Sequence, residues 1–182
     1  MAKYYQVTFK SFDEKPATSD DVIMEGSVSA PSSILDFGIR HNEQMNLIFQ
    51  AQSKILALQA NQIPAPHTCL DCGSNKLKKL GFKETMFFDL FSDHQVKMQR
   101  YTCGECGATN CGTVVKALGG NMSGELAKIH SELGARHSYR EVKVLLDIFS
   151  GKSRAINNHD RVKNNVELVG LAVADLYKEE DK

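Results

Sequence analysis

The feature that most constrains this chain is a repeated spacing: Cys69-x-x-Cys72, thirty intervening residues, then Cys103-x-x-Cys106, each pair followed by glycine, Gly73 and Gly107. Two thiolates three positions apart on a turn can bind one ion, and the following glycine can adopt the positive φ that such a knuckle needs. Two knuckles complete a tetrahedral sulfur site, which suits one structural Zn²⁺ and leaves no position open to substrate. Iron in the same four-sulfur set is the alternative metal. The intervening "KLKKLGFKETMFFDL" and "HQVKMQRYTC" are long enough for an antiparallel hairpin, so residues 63–118 read as a zinc ribbon with ligands Cys69, Cys72, Cys103 and Cys106.

Other uses of the thiols fit less well. A thioredoxin-like redox pair needs one C-x-x-C ahead of a helix in a βαβ setting, which neither pair has. His67 and His94 are nearby alternative ligands, but four thiols already fill the site. Cys111 is the leftover, expected to pack as a small hydrophobe.

Composition narrows the setting. Hydrophobic content of 42% and charge of 24% are those of a globular chain. No apolar run approaches the roughly 18 residues of a membrane span. "MAKYYQVTFK" lacks a signal-peptide h-region, so a cytoplasmic, reducing location is expected (nucleoid-associated if bacterial), which disfavours disulfides. The zero net charge is unevenly spread. Residues 1–66 carry five basic and seven acidic groups, whereas 67–118 carry seven and five and 119–170 eight and six. A mildly basic middle is compatible with nucleic acid without demanding it.

The expected fold class is α+β: an N-terminal strand pair and long helix (1–62), the four-cysteine ribbon (63–118) and a three-helix segment (119–182). "KYYQVTFKSF" (3–12) and "DVIMEGSVSA" (21–30) alternate as paired strands. Met45, Ile48, Ala51, Ile55 and Leu58 make one stripe of a helix over 33–61, ended by "IPAPH". Downstream, Leu126, Ile129, His130 and Leu133 share a face, with Gly134 as the stop. Ser138-Tyr-Arg-Glu141 is a capping box opening a stripe of Val142, Leu145, Leu146 and Phe149 that stops at Gly151. Asn157 or Asn158 caps a last helix with Val162, Val166 and Val169 inward. Three helices with short joints resemble a helix-turn-helix domain.

Taken in order, the ribbon and helices (about residues 67–170) resemble the N-terminal region of certain bacterial insertion-sequence transposases. Those proteins carry paired C-x-x-C-G knuckles around a hairpin, then a "SYREA-ELL"-like stretch, a turn and a recognition helix. Here "SYREVKVLL" (138–146) matches that stretch and "INNHDRVKNNV" (156–166) takes the recognition-helix place. The chain departs from the pattern in having asparagine at the cap and no tryptophan, and it lacks the acidic-triad nuclease domain. The resemblance implies a sequence-specific DNA-binding protein related to DNA recombination, not an enzyme by itself.

On that reading Arg161, Asn164 and Asn165 face bases, flanked by His159 and Lys163. Arg suits guanine and Asn suits adenine, each bidentate pair being worth about 1–3 kcal/mol of discrimination. Lys163, Arg154 and Lys152 are placed for phosphates, with Arg140 and Lys143 adding backbone contacts from the preceding helix. Lys76, Lys78, Lys79, Lys83 and Arg100 form a basic surface on the ribbon. Expected partners are double-stranded DNA and a second copy through the 33–61 helix, with no membrane and no small-molecule substrate. A zinc-ribbon interaction adaptor or transcription regulator is the alternative function.

Overall fold

The computed structural model describes residues 3–10, 20–28, 30–34 and 37–180, the side chains of Lys3, Asp20, Cys111 and residues 172–180 excepted. The chain divides into two compact units, Met1–Pro64 and Ala65–Lys182. Its architecture is mixed α and β, with two small sheets and five helices among the described residues.

In the first unit, β1 (Lys3–Lys10) and β2 (Asp20–Val28) pair antiparallel from Lys3 opposite Val28 to Lys10 opposite Asp20. Alternation is visible in the burial: Tyr5, Val7 and Phe9 are half-covered while Tyr4, Gln6 and Thr8 are exposed. Residues 11–19, the end of the first predicted strand and most of the predicted loop "DEKPATSD" (13–20), lie outside the described residues. The helix α1 spans His41–Gln62 and does not begin near residue 33 as the sequence predicts. Gly38 holds φ +100° and Arg40 is extended, so the backbone cannot wind as a helix before His41. The Glu43 carboxylate accepts the Arg40 N–H at 2.9 Å and seals that start. Lys54 pairs with Asp21 at 2.7 Å, tying α1 to β2. No described side chain between Tyr4 and Pro64 is buried.

The second unit is built on the antiparallel sheet β3 (Leu77–Phe88), β4 (Asp93–Cys103) and β5 (Thr109–Cys111). Along β4, His94, Val96 and Met98 are buried while Gln95 and Lys97 are exposed, so one sheet face is covered and the other wet. A short helix α2 (Val114–Leu118) follows, then α3 (Gly124–Gly134), α4 (Tyr139–Ser150) and α5 (His159–Glu180). A 3-10 turn, Ala155–Asn157, sits between the last two.

Local chemistry starts each helix. Ser123 Oγ accepts the Leu126 N–H, and the Ser138–Glu141 capping box forms as its sequence predicts. Asn158, not Asn157, opens α5, its Oδ1 accepting the Asp160 N–H at 2.9 Å. Asn157 is instead buried and donates to Asp147 Oδ1 at 2.9 Å.

The helical core is Val142, Leu146 and Val162, against which Leu90, Ile129, Leu133, Tyr139 and Val166 pack. Leu90 comes from the β3–β4 turn, so the tip of the hairpin is part of the helical core. Three details differ from the sequence pattern. Val169 is 38% exposed, because burial decays along α5 from Val162 (0%) as the helix leaves α3 and α4. Phe149 is likewise half-exposed, outside the Val142 and Leu146 stripe. Gly134 is not a left-handed stop: it lies inside α3, where a Cβ would fall 2.5 Å from Val166 Cγ2. Its value is the close approach of α3 and α5.

Candidate functional site

The two cysteine knuckles are built alike. Cys69 N–H donates to Ser74 O at 2.8 Å and Gly73 N–H returns to Cys69 O at 2.9 Å. Five residues on from Cys103, Ala108 O accepts the Cys103 N–H at 2.9 Å, and Gly107 N–H returns to Cys103 O at 3.0 Å. Each return bond forces the reversal that Gly73 and Gly107 accept at φ +72° and +73°. Gly104 N–H donates to Lys76 O at 2.8 Å, which sets the second knuckle against the start of β3.

The four sulfurs converge. Cys69 Sγ lies 3.6 Å from Cys106 Sγ, Cys72 Sγ lies 3.6 Å from Cys103 Sγ, and all four fall within 4.8 Å of one another. A disulfide would need about 2.05 Å. A tetrahedron with metal–sulfur bonds of about 2.3 Å has edges of about 3.8 Å, close to these separations. The group can hold one metal ion. Cys69 and Cys103 are buried and Cys72 and Cys106 exposed, so the ion would sit at the surface with its inner half walled by protein.

Protonation splits the four thiols. The Asn110 side-chain amide, then the N–H groups of Cys72 and Asp71, lower Cys69 to about 6. The N–H groups of Cys106 and Glu105 lower Cys103. At Cys72 the Ser74 N–H pulls downward but is outweighed by the facing thiols and by burial, which push it up to about 12. At Cys106 the Ala108 N–H and Cys72 pull downward, yet burial, Cys69 and Cys103 raise it. Four like charges cannot gather here without a cation, and a divalent ion would take the place of the retained protons.

Asn110 is a functional residue that spacing does not reveal. It is 1% exposed, donates Nδ2 to Cys69 Sγ at 3.3 Å and accepts the Leu70 N–H on Oδ1 at 2.8 Å. It therefore fixes the first knuckle and a ligand together, a supporting role around metal ligands. The only hint in the sequence is a polar residue in the short stretch "ATNCG", which carries no ligand spacing of its own.

Neither candidate histidine joins the sulfurs. His67 is exposed, and buried His94 holds its Nε2 2.9 Å from Asp89 Oδ2. The Cys111 side chain lies outside the described residues.

The residues expected to face DNA divide into two groups. His159, Arg161, Lys163 and Asn164 are exposed on the first turns of α5, and Lys152 and Arg140 are exposed nearby in sequence. Arg161 carries its Cζ 5.9 Å from the Phe88 ring centroid, a cation–π arrangement at the hairpin. His159 stands 3.2 Å from Asp160, and Lys163 stands 3.8 Å from Glu167. Such exposed pairs constrain little.

Arg154 and Asn165 must be withdrawn from that surface. The Arg154 side chain is fully buried; its Nε and Nη2 meet Asp93 Oδ1 at 2.8 and 2.6 Å. Nη1 donates to Leu90 O at 2.8 Å, and Nη2 also reaches the carbonyls of Asp89 and Ser92 at 2.9 and 2.6 Å. A guanidinium so engaged and fully buried is out of reach of a phosphate. Asn165 turns inward and donates to Ala127 O at 2.8 Å, joining α5 to α3.

Comparison of the chain with protein-family models, curated proteins and solved structures found no match. No helix among the described residues is long and apolar enough to cross a membrane.

Proposed function

We propose that this chain is a zinc-containing, sequence-specific DNA-binding protein resembling the DNA-binding region of a transposase. In this reading α4, the following turn and α5 act as a helix-turn-helix, with α5 entering the major groove. The observation that carries it is the division of α5: Val162 is fully buried against α3 and α4 while His159, Arg161, Lys163 and Asn164 stand exposed around it. A helix anchored on one side and polar at its N-terminal turns on the other can present those turns to base edges. Arg161 and Asn164 read bases; Lys163, His159, Lys152 and Arg140 contact phosphates.

The metal's contribution is structural. Four thiolates fill a zinc ion's coordination, so no site remains for a reactive water and the chain acts by binding, not catalysis. Zinc in place of iron is read directly by metal analysis and by the absence of an iron–thiolate absorption band. The expected place of action is the cytoplasm, on the nucleoid if the source is bacterial. A second copy is the expected protein partner of α1, whose Ile48, Ala51, Ile55 and Leu58 share one stripe in a unit without a buried side chain among its described residues.

Selection from random-sequence duplex by the metal-loaded protein, followed by salt-titrated binding, tests the reading. An enriched motif is expected, with Arg161→Ala and Asn164→Ala relaxing preference within it. Unchanged affinity and preference in both variants would remove α5 from the interface. One observation favours the adaptor alternative: α4 exposes Val144 (57%), Ile148 (66%) and Phe149 (51%) together. Absence of duplex binding at low salt, with capture of a protein partner lost on Ile148→Glu, selects that alternative.

A further inference from the structure

The strand register separates two faces of the β3–β4 hairpin. Residues directly opposite share a face, so Phe82 with Gln99, Glu84 with Lys97 and Phe88 with Asp93 point one way, while Thr85 with Val96 and Phe87 with His94 point the other. The second set includes the buried side chains. The first is wet: Phe82 is 60% exposed, and Lys79, Glu84 and Lys97 are exposed. Past the irregularity between Lys79 and Gly81, Lys79 stands opposite Tyr101 and continues that face.

Two relationships give this face a direction. At its turn end, the Phe88 ring carries Arg161 from the first turns of α5 at 5.9 Å. The carboxylate opposite Phe88, Asp93, is already neutralised by Arg154, and Asp89 beside it is buried against His94. Toward the knuckles, β3 is an edge strand; on this face it carries exposed Glu84 opposite Lys97 of β4 and then Lys79, while Lys78 and Lys83 belong to the other face. Nine residues of strand separate Phe88 from Lys79, about 30 Å at about 3.3 Å per residue. A strip that starts at Arg161 and carries Lys97 and Lys79 along its length, against Glu84 alone, suits a polyanion running past α5.

We propose that the solvent face of the β3–β4 hairpin is a second DNA-contact surface, a phosphate-tracking strip along the duplex that flanks the site read by α5. Lys79 and Lys97 contact phosphates, and Phe82 and Gln99 lie against the sugar edge between them. The inference rests on the DNA-binding reading and extends its footprint by about nine base pairs at about 3.4 Å each. The strip supplies affinity without sequence preference, in contrast to Arg161 and Asn164.

The test uses the full-length, metal-loaded protein with Lys79→Gln and Lys97→Gln combined, titrated with salt on a random duplex and on the duplex selected by the wild type. Both affinities should fall together, leaving their ratio unchanged. The slope of log affinity against log salt should become shallower by about 0.9 for each lysine. The paired Lys→Arg variant should keep the wild-type slope, and Lys128→Gln on α3 should leave it unaltered. A wild-type slope in the double glutamine variant overturns the strip while leaving α5 as the DNA reader. Failure of the wild type to bind any duplex at low salt removes both. Tighter binding to the unpaired strand than to its duplex also overturns the strip, since its spacing would then serve stacking on Phe82.

Discussion

Arg154 and Asp93 meet across 61 residues of chain, with one carboxylate oxygen taking both Nε and Nη2 of the guanidinium. The same guanidinium caps three carbonyls of the β3–β4 turn. The turn delivers Leu90 to the helical core, so this arginine joins the hairpin that carries the second cysteine knuckle to the helices.

Replacing it should be severe. Arg154→Ala leaves Asp93 and three carbonyls without their donor, and breaking a buried pair from one side costs about 3–5 kcal/mol. Urea unfolding followed by circular dichroism at the helix band and by metal release should show both transitions shifted to lower urea and separated from each other. A loss under about 1 kcal/mol with coincident transitions would show that the pair does not couple the two parts.

The Asn110 amide holds Cys69 as a thiolate and fixes the Leu70 backbone, so Asn110→Ala should weaken metal binding by about 10–100-fold, measured by competition with a chromophoric chelator. Cys69→Ser and Cys103→Ser should abolish stoichiometric binding. Metal removal by chelator should unfold the knuckles, because the ion's binding energy is folding energy there. Wild-type affinity in Asn110→Ala would reduce that residue to packing.

Acid should act through His130. Its ring is fully buried and neither nitrogen makes a hydrogen bond of ordinary geometry; burial lowers its pKa foremost, the Asn157 side chain opposes this only in part and the Arg154 charge adds to it. A histidine whose folded pKa is depressed contributes stability that is present above its unfolded value, about 6.5, and is lost as pH falls below it. Wild type should therefore lose up to about 1.4 kcal/mol per pH unit below 6.5 through this group, beyond what other groups impose. Urea midpoints of wild type and His130→Leu across that range should converge toward acid. Parallel pH profiles would exclude His130 as a source of acid lability.

Gly134→Ala tests the approach of α3 to α5. The new methyl meets a stiff Val166 branch, and such overpacking costs about 1–3 kcal/mol, although alanine is the better helix former by about 1 kcal/mol. A lowered melting temperature is expected, with partial recovery in Gly134→Ala combined with Val166→Ala. Stabilisation by the single substitution would mean that α5 moves aside freely.

Much of this protein is local chemistry and was legible on that account. The glycines after each C-x-x-C, the Ser138–Glu141 box and the alternation along β1 depend on a few neighbouring residues, and the structure forms each of them. The four sulfurs converge because two turn signals sit at the ends of a strand pair with enough chain to return. The start of α1 is not legible in the same way, because the apolar stripe says nothing of where Gly38 breaks the backbone.

Residue type and spacing alone thus marked the four cysteines, the paired strands, the longer helices and the caps of α4. Only the tertiary structure decided the fate of the polar side chains. Arg154 and Asn165 share the composition and sequence neighbourhood of the exposed α5 residues, yet one is spent on the hairpin turn and the other on Ala127. Asn110 serves a sulfur 41 residues away, and Gly134 makes room for a helix that begins 25 residues later. A side chain's hydrogen bonds and close approaches are set by which distant segment is packed against it. No local period or turn propensity encodes that.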